Sequence, residues 1–488
     1  MLGRVRLRVN SALQLLAIDV GAESGRAVVG HFDGARLTVE EAHRFPNVPV
    51  RLGDTLHWDV LRIFGDVLDC IRKAGDVASV GIDTWGVDFG LLDARGRLVG
   101  NPVHYRDNRT AGTLDRIAAR VPVTEVYAQT GIQFMEINTL NQLFAMAEVH
   151  DPQLERAERL LLMPDLLNHF LCGSTLGEYT NATTTQCYDP RRGGWAVDLL
   201  ERLEIPSRLF PEVAPAGTVL GTLEGQPTKV VAPATHDTGS AVAACPLASD
   251  GSVAFISSGT WSLVGLELKA PLIDDAAREA NVTNEGGVEG TTRLLKNVMG
   301  LWLVQEARKL LAPDTSYEEL ARMAEQAPSG TTFVDPDNMR FLRPGDIRVR
   351  VAEFCLETGQ PAPDDVGTLV RVLLESLALK YATVIDLLAR LTGRRIAAIQ
   401  VVGGGARNDL LCRLTAAATG LPVYAGAVET TAIGNLVVQA LALGELQSLP
   451  EARALVAHSF PARCYEPHGD WSAARDRFAQ LLNTGASV

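Results

Sequence analysis

The sequence lacks several features that would assign it to a familiar class. It has no excess of positive charge: its formal net charge is −13 at pH 7, which argues against nucleic acid or an anionic membrane as the main partner. It has no apolar run long enough to span a bilayer. Its seven cysteines include no Cys-x-x-Cys pair, so neither a zinc site nor a thioredoxin-like redox pair is indicated. Such sparse cysteine fits a reducing compartment. Given the negative net charge, small molecules are the expected partners.

Two common nucleotide-binding signatures are missing as well. The Walker pattern Gly-x-x-x-x-Gly-Lys-[Ser/Thr] is absent, which disfavours a P-loop enzyme. No Gly-x-Gly-x-x-Gly follows the first predicted strand, which weakens a dehydrogenase interpretation. The histidines lack the spacing of metal ligands, so His236 is expected to be a hydrogen-bonding neighbour rather than a zinc ligand. Any phosphate ligand must then be received by backbone amides, an arginine or a metal ion.

What the sequence does contain is enough chain for two domains. Its 488 residues exceed the size at which one hydrophobic core usually stops growing, and we expect domains at residues 12–246 and 247–470. Each half opens with a strand, a glycine-bearing turn and a second strand, at Leu15–Gly30 and Val253–Gly265. This repeat predicts an internal duplication with a cleft between the halves. Residues 1–8 are basic but make a poor signal peptide, so we expect an extension without an assigned role.

The most informative stretch lies at mid-chain, around Asp237. The valines of Lys229–Ala232 predict a buried strand, and the small residues of Gly239–Ala244 predict a helix packed close to it. Asp237 then lies at the start of the helix, where exposed amides attract anions and the helix dipole keeps a carboxylate ionised. It is a candidate base beside a transferable phosphate, although Asp is also favoured simply as a helix cap.

Three glycine-bearing corners could face a phosphorylated ligand. In the turn Asp19–Gly25, Asp19 could hold the waters of a magnesium ion, and the following Arg26 could neutralise a phosphoryl group. An ordinary hairpin with a turn-initiating Asp and a surface Arg explains the same residues. Ser257–Thr260 forms the matching turn of the second half. Gly403–Gly405 follows a buried strand, where consecutive glycines let a flat ligand lie against the backbone.

Polar and aromatic clusters follow two further predicted strands, as expected of ligand sites at the carboxyl ends of strands in α/β sheets. Asp83, Trp85 and Asp88 follow one strand, and Tyr105–Arg109 follows Pro102–Val103. They are candidate sugar contacts, because planar polar side chains and aromatic faces hold sugars, although an Asx turn and a core Trp would give the same pattern.

Three further segments complete the prediction. Leu295–Gln305 is expected to begin a helix with Asn297 near its start, and Val366–Leu391 is expected to be a long apolar helix. The hydroxyl-rich segment Glu178–Gln186 is expected to be a solvated turn rather than a ligand site.

A resemblance to a known family rests on these residues. The chain resembles the carbohydrate kinases named for their Phe-Gly-Gly-Tyr signature, which belong to the sugar kinase, actin and heat-shock chaperone superfamily. The segments that resemble the phosphate and adenosine motifs of these kinases are Asp19-Val20-Gly21 with Arg26, Ser258-Gly259-Thr260 and Gly403-Gly404-Gly405. Further segments resemble in particular the members of that family that phosphorylate L-rhamnulose. These segments are Gly81–Phe89, Tyr105–Asp107 with Arg109, Met163–Asp165, Tyr179–Gln186, Asn284–Gly287, Lys296–Asn297 and Met299–Leu303. The resemblance extends from about Leu15 to about Arg463.

This resemblance implies an α/β fold of two ribonuclease H-like domains, as in actin-like ATPases, with an interdomain cleft. It implies an enzyme that uses ATP and Mg²⁺ to phosphorylate the 1-hydroxyl of L-rhamnulose, giving L-rhamnulose 1-phosphate and ADP in L-rhamnose catabolism, with Asp237 as the catalytic base. The residues implied around the ketose are Gly86, His236, Asp237, Thr238 and Asn297. Those implied to hold ATP are Ala22, Glu23, Ser24, Gly25, Arg26, Thr260, Gln305 and Gly404, while Asp19 would support magnesium through water. Glu23 departs from the small residue usual in the family, so its charge must face outward or lower the affinity for ATP.

Two alternatives remain open at this point. A kinase for another ketose, such as L-fuculose or L-xylulose, would differ only in side-chain geometry that a sequence does not supply. A nucleotide-switched scaffold like actin or the heat-shock chaperones would share the ATP cradle, but the sugar-facing clusters argue against it. In either case we expect a small-molecule partner, neither nucleic acid nor membrane, and a monomer or small homo-oligomer in the cytoplasm.

Overall fold

The computed structural model describes residues 13–247, 250–342 and 345–484. Residues 1–12, which include the basic segment and the predicted start of the first domain, lie outside the described residues. Residues 13–247 are called the first half below, and the described residues from 250 to 484 are called the second half.

The first half contains fourteen strands and nine α-helices among its described residues. The strands are β1 (Leu13–Val20), β2 (Ser24–Phe32), β3 (Leu37–Pro46), β4 (Val50–Leu52), β5 (Thr55–His57), β6 (Ser79–Thr84), β7 (Phe89–Leu92), β8 (Arg159–Leu162), β9 (Gly177–Glu178), β10 (Tyr188–Asp189), β11 (Gly194–Trp195), β12 (Val213–Ala214), β13 (Thr218–Thr222) and β14 (Lys229–Ala232). The helices are α1 (Val60–Ala74), α2 (Thr113–Arg120), α3 (Val123–Thr130), α4 (Thr139–Glu148), α5 (Pro152–Arg156), α6 (Met163–Cys172), α7 (Tyr179–Ala182), α8 (Val197–Arg202) and α9 (Asp237–Ala244).

The second half contains seven strands and nine α-helices in the part of the chain that is described. The strands are β15 (Val253–Ser258), β16 (Trp261–Leu268), β17 (Thr283–Gly286), β18 (Thr292–Met299), β19 (Ala398–Val402), β20 (Val423–Ala425) and β21 (Arg463–Tyr465). The helices are α10 (Asp275–Glu279), α11 (Trp302–Leu311), α12 (Tyr317–Gln326), α13 (Ile347–Glu357), α14 (Val366–Thr392), α15 (Asp409–Thr419), α16 (Thr430–Ala442), α17 (Leu449–Ser459) and α18 (Ser472–Thr484).

Each half is built around one mixed sheet. Six strands of the first half lie in the order β13-β14-β6-β1-β2-β3, and seven strands of the second half lie in the order β17-β18-β16-β15-β19-β20-β21. In each sheet a hairpin, β1–β2 or β15–β16, pairs antiparallel, and its first strand pairs in parallel with β6 or β19. The two halves therefore repeat one arrangement, and the predicted α/β fold with a repeated strand, turn and strand is confirmed.

Strand β1 lies in the interior of the protein, since helices cover both faces of its sheet. Leu16 and Ile18 belong to a core cluster that includes residues of α1 and α6. Leu15 and Ala17, which alternate with them, belong to a cluster with α16 from the second half. A strand buried on both faces has a continuous apolar sequence, as Leu15–Ile18 does. The polar end of β1, at Asp19, is thereby held at a fixed place.

Two predicted elements are wrong. Asn297 lies in β18, paired with Leu263 of β16, and the helix predicted from Leu295 begins only at Trp302. A short apolar run does not distinguish a strand from a helix. Here antiparallel pairing with β16 on one side and β17 on the other stabilises the segment as a strand. Val103 forms only an isolated bridge with His57 instead of the predicted short strand.

Helices α9 and α16 pack closely and join the two halves. A Cβ added at Gly434 of α16 would lie 1.7 Å from the backbone oxygen of Ser240 in α9. The next residue, Asn435, donates from Nδ2 to the Asp83 carboxylate at 2.6 Å and to the Gly81 carbonyl at 3.1 Å. Small residues in α9 and a glycine in α16 allow this approach of two helices.

The predicted domain boundary at 246–247 lies in the connection between α9 and β15, and residues 248 and 249 of that connection are outside the described part of the chain. The boundary stays a prediction. Helix α16 belongs to the second half in sequence but packs against the sheet of the first half.

Candidate active site

A cavity of about 360 Å³ lies between the two halves, next to the carboxyl ends of β1, β14 and β15. Its lining includes all but one of the residues that the resemblance implies. These are Asp19, Ala22, Glu23, Ser24, Arg26, Gly86, His236, Asp237, Thr238, Thr260, Asn297, Gln305 and Gly404. The structure thus brings together in one cavity residues that the sequence spreads over nearly 400 positions.

Gly25 is the exception. It is buried in β2, outside the cavity lining, and a Cβ at this position would lie 2.1 Å from the ring of Phe45. The side chain of Phe45 therefore requires a glycine here for packing. The neighbouring turn is held by Asn47, whose Nδ2 donates to the Gly21 carbonyl and whose backbone N–H donates to the Glu23 carbonyl, both at 2.9 Å.

Asp19 and Arg26 face each other across the base of this turn. Arg26 donates from Nε and Nη2 to Oδ2 of Asp19 at 3.0 and 2.6 Å, and its Nη1 lies 2.5 Å from Glu429. Burial alone would lower the pKa of Arg26, but the carboxylates of Asp19 and Glu429 outweigh it and raise the pKa. Both bonds to Asp19 end on Oδ2, and no described residue donates to Oδ1. Sequence reasoning missed Glu429, which no local pattern distinguishes from a surface acid.

Asp237 presents one oxygen to the protein and the other to the cavity. Its Oδ1 accepts from the backbone N–H of Thr238 at 2.5 Å and from the Thr238 hydroxyl at 3.1 Å, and Nε2 of His236 lies 3.4 Å away. Within the described chain, no donor reaches Oδ2, and the side chain is 33% exposed. Burial, together with the charge of Asp19, raises the pKa of Asp237, while His236 and Thr238 oppose the rise. His236 occupies the N-cap position of α9, so Asp237 is not a simple cap.

His236, which contacts Asp237, is itself contacted by two charged residues: Glu285, which lies in the motif Asn284–Gly287, and Arg293, which the sequence did not single out. Glu285 Oε2 lies 3.2 Å from Nδ1 of His236, and both terminal nitrogens of Arg293 lie 3.2 Å from the same Nδ1. Arg293 is completely buried. The only sequence signal for Arg293 was a charged residue directly before the apolar pair Leu294–Leu295 in β18.

Asp83 and Asp88, both expected to contact sugar, are buried outside the cavity lining. Asp88 Oδ2 accepts from the indole N–H groups of Trp58 at 2.6 Å and Trp85 at 2.9 Å, and from the backbone N–H of Tyr105 at 3.2 Å. Burial raises the pKa of Asp88 to about 6, although hydrogen bonds from Trp58, Gln142 and Trp85 oppose the rise. Trp85 and Tyr105 do line the cavity, so Asp88 fixes the position of residues in the cavity wall without being part of that wall.

One end of the cavity has an apolar wall next to the hydrogen-bonded pair Gln133 and Asn297. The apolar side chains at this end are Trp85, Val87, Tyr105, Ile132, Met135 and Ile137. Gln133 Oε1 accepts from the Asn297 backbone N–H at 2.9 Å, and thereby joins the two halves. The segment expected to be a solvated turn is buried instead, and its Thr184 lines the cavity.

The three glycines after β19 have different roles. Gly403 has a φ of 78°, and a Cβ on Gly405 would lie 2.1 Å from the Ser258 hydroxyl, so backbone shape and packing require both. Gly404 lines the cavity, and no described atom lies within 4 Å of where its Cβ would be. Nearby, the buried Oε1 of Gln305 has no hydrogen-bond partner. This end of the cavity therefore offers open space and a free acceptor.

A side chain at Gly404 should obstruct a nucleotide without disturbing the fold. We expect Gly404→Val to raise the KM for ATP by about 10- to 100-fold, since it would exclude a flat ligand from the backbone at a cost of about 1–3 kcal/mol. Gly404→Ala should have a smaller effect. The matched control is Gly194→Val, because Gly194 also has no atom within 4 Å of its Cβ position but lies outside the cavity. Steady-state kinetics at saturating sugar would measure this, and equal KM values for the two valine variants would contradict the assignment.

Arg106 crosses from the first half to the second beside the cavity. Its guanidinium lies 5.3 Å from the ring centroid of Tyr105, 5.5 Å from that of Trp261 and 4.5 Å from that of Trp302. Its Nη1 donates to the Leu342 carbonyl at 2.6 Å. Cation–π contacts of a partly desolvated arginine are stabilising, so this residue holds the halves together at the cavity.

Glu23 lies in the cavity lining with an exposed side chain. Although the side chain is exposed, nearby protein atoms partly desolvate its carboxylate; this desolvation and the charge of Glu306 raise its pKa, whereas Lys309 and Arg106 act in the opposite direction. The extra negative charge in the first turn is thus partly offset by cations of both halves.

No helix in the described part of the chain is both long and apolar enough to cross a membrane. No group of three or more His, Cys, Asp or Glu side chains in the described ranges is arranged to hold a metal ion.

Two solved kinase structures are similar to this chain in fold. A ligand-bound xylulose kinase from Lactobacillus acidophilus is similar with a TM-score of 0.76 and 16% identity, covering 97% of each chain. Glycerol kinase from Plasmodium falciparum with ADP has a TM-score of 0.72 and 13% identity, covering 97% of this chain and 98% of that one. At such identities the similarity establishes the fold.

Curated relatives are much more similar in sequence. A protein named rhamnulokinase from Bacteroides thetaiotaomicron is 42% identical over 480 residues, covering 96% of this chain and 99% of the relative. One of the same name from Bacillus subtilis is 38% identical over 463 residues, covering 92% and 95%. Family models for the N-terminal and C-terminal domains of the FGGY family of carbohydrate kinases match residues 14–235 and 254–443. The chain therefore belongs to the FGGY family of carbohydrate kinases, which are phosphotransferases that use ATP, and the family expectation drawn from its motifs is confirmed.

Proposed function

We propose that this kinase transfers the γ-phosphoryl group of ATP to the 1-hydroxyl of L-rhamnulose, giving L-rhamnulose 1-phosphate and ADP in the catabolism of L-rhamnose. The relatives named rhamnulokinase support this, since their identity of about 40% extends over nearly the whole chain. The structural observation that carries the proposal is the Asp237 carboxylate, which keeps one oxygen free in a cavity between the two halves.

In this mechanism Asp237 is the catalytic base. Thr238 and His236 surround Oδ1, so Oδ2 is the atom that accepts the proton of the sugar hydroxyl as its oxygen attacks the γ-phosphorus in line. Because two donors of Thr238 hold Oδ1, the carboxylate is oriented before the sugar binds, and this avoids reorganisation during the reaction.

ATP is proposed to lie on the opposite side of the cavity, against both phosphate turns. The residues assigned to it are Ala22, Glu23, Ser24, Gly25, Arg26, Thr260, Gln305 and Gly404. Gln305 donates from Nε2 to the Thr260 hydroxyl at 3.4 Å, and its unpartnered Oε1 fits a donor such as a ribose hydroxyl. For Gly25 the assigned role is indirect, since its lack of a side chain lets Phe45 support the turn.

Magnesium is assigned to Asp19. The donor set fits, because Arg26 occupies Oδ2 and Oδ1 has no protein donor among the described residues. Mg²⁺ is usually held by one or two carboxylates together with waters and substrate phosphates, so a single carboxylate is sufficient. When bound with ATP, the ion would neutralise charge that develops on the transferred phosphoryl group.

The ketose is assigned to the other end, against Gly86, His236, Thr238 and Asn297. L-Rhamnulose is a 6-deoxy sugar, and its C6 methyl group suits the apolar wall that includes Ile132, Met135 and Ile137. L-Xylulose has no such methyl group, whereas L-fuculose has one but differs in hydroxyl configuration.

A coupled assay of ADP release over a panel of ketoses tests the substrate. We expect kcat/KM for L-rhamnulose to exceed that for L-xylulose by at least about 10-fold, because a buried methyl group contributes about 1–3 kcal/mol. L-Fuculose is expected to be a poorer substrate as well. ATP hydrolysis that is independent of the ketose would instead favour a nucleotide-switched scaffold, and a preference for L-xylulose or L-fuculose would reassign the substrate.

A further inference from the structure

A buried arginine stands behind the histidine that contacts the proposed base. Arg293 lies in β18 with no exposed surface, and its Nε donates to the Gly286 carbonyl at 2.9 Å. Nη1 and Nη2 both lie 3.2 Å from Nδ1 of His236, and Nη1 also lies 3.2 Å from Glu285 Oε2. A buried arginine is costly unless it is fully paired, so its position here requires explanation.

The chemistry of the guanidinium determines which ring nitrogen of His236 carries the proton. Arginine has only N–H donors and stays charged in proteins, so a nitrogen that faces two of them must be an acceptor. Nδ1 of His236 is then unprotonated, and the proton of the neutral ring is on Nε2. At the other side of the ring, Oδ1 of ionised Asp237 lies 3.4 Å from Nε2 and is an acceptor. Both neighbours therefore select the same tautomer.

Glu285 is the competing partner, because its Oε2 lies 3.2 Å from Nδ1 and could accept a proton from that nitrogen. That arrangement would turn the Nε2 lone pair toward the Asp237 oxygen and bring an Nδ1–H against the Arg293 donors. Glu285 instead has Arg293 as its partner, and the charge of this arginine opposes burial and favours a lowered pKa of Glu285. Other charged or titratable groups near Arg293 are Glu178, Tyr179 and Glu267.

We propose that Arg293 is a positioning residue that holds His236 in the Nε2–H tautomer, so that this N–H is directed at Oδ1 of Asp237 and Oδ2 remains free for the sugar hydroxyl. The proposal rests on the proposed role of Asp237 as the base. Arg293 acts through His236 and is not itself among the residues that line the cavity.

The tautomer is directly measurable in the full-length protein. Long-range ¹⁵N–¹H spectra of protein labelled at histidine distinguish Nε2–H, Nδ1–H and doubly protonated rings, and His236→Gln identifies the signal of His236 among the nine histidines. The wild-type protein is expected to have the Nε2–H form near neutral pH. An Nδ1–H or doubly protonated ring in the wild-type protein would overturn the proposal, whether or not any variant folds.

The variant Arg293→Met tests the consequence for catalysis. With the guanidinium removed, Glu285 becomes the partner of Nδ1, so we expect the His236 signal to shift to the Nδ1–H form. We also expect kcat to fall by about 10- to 100-fold with KM values for ketose and ATP nearly unchanged, since the defect is one of orientation. Arg293→Lys retains a cationic donor and is expected to keep the Nε2–H form and more of kcat.

The matched control is Arg371→Met. Arg371 is a similarly buried arginine on α14, with Nε donating to Glu375 at 2.6 Å, and it is remote from the cavity lining. This control should lose stability but keep kcat and the tautomer. Equal losses of kcat in the two methionine variants, or an unchanged His236 signal in Arg293→Met, would overturn the proposal. A wrong substrate assignment is separately visible as the absence of ketose-dependent ADP release by the wild-type enzyme.

Discussion

Replacing Asp237 by Asn is expected to lower kcat by about 10²- to 10⁴-fold, the usual contribution of a general base, while the fold and ATP binding persist. The carboxamide has the shape of the carboxylate. Its oxygen is expected at the position of Oδ1, where Thr238 donates two hydrogen bonds and His236 lies 3.4 Å away. The NH₂ group is then placed where Oδ2 was, facing the cavity, and it cannot accept a proton from the sugar.

The measurement is kcat for ketose-dependent ADP release, combined with ATP titration of the variant. Asp275→Asn is the matched control, because Asp275 also opens a helix, α10, but its side chain is 86% exposed and it lies outside the cavity lining. The control should retain full activity. Activity of Asp237→Asn within a few-fold of wild type would remove Asp237 from the role of base.

Replacing Gly434 by Ala is expected to lower the free energy of unfolding by about 3 kcal/mol or more, at the upper end of overpacking effects. The new Cβ would lie 1.7 Å from the Ser240 carbonyl oxygen, which is backbone and is not able to rotate away. Helix α16 would have to move from α9, and Asn435 would lose its 2.6 Å bond to Asp83. Since Thr431 of the same helix lines the cavity, we also expect weaker ATP binding.

Thermal unfolding and denaturant titration would measure this change. Gly65→Ala is the control: Gly65 lies within α1, and no atom is found within 4 Å of its Cβ position in the described structure. Alanine there should be neutral or stabilising by up to about 1 kcal/mol, because glycine is a poor helix former. Similar unfolding midpoints for the two variants would contradict the close crossing of α9 and α16.

The parts of the structure that the sequence predicted depend on local patterns. Buried strands have apolar runs, which are continuous at Leu15–Ile18 and interrupted by Gln400 at Ala398–Val402, and glycines mark the corners that follow β1 and β19. The strand and helix that flank Asp237 were predicted for the same reason. Because the carboxyl ends of neighbouring strands lie together, these local features were sufficient to bring Asp19, Asp237 and the glycine-bearing corners to one cavity, whereas Gly86, Asn297 and Gln305 were implied only by the family resemblance.

The parts that the sequence did not predict depend on long-range pairing. Asn297 was expected in a helix, and only its antiparallel partner β16 explains the strand. Asp88 follows a strand as a ligand residue would, but it is buried under Trp58 and Trp85, which donate to it. Arg293 lies 57 residues from His236 in sequence, so no local pattern connects the two. Networks of this kind are formed by tertiary packing and are not encoded in any one segment.

The central claim is that Oδ2 of Asp237 meets the reactive hydroxyl of the ketose while ATP lies across the cavity. A crystal structure with L-rhamnulose and a non-hydrolysable ATP analogue tests this most directly. We predict that Oδ2 lies within hydrogen-bonding distance of the 1-hydroxyl, and that this hydroxyl faces the γ-phosphorus on the side opposite the leaving ADP. A structure in which Oδ2 points away from the sugar, or in which another side chain contacts that hydroxyl, would contradict the account.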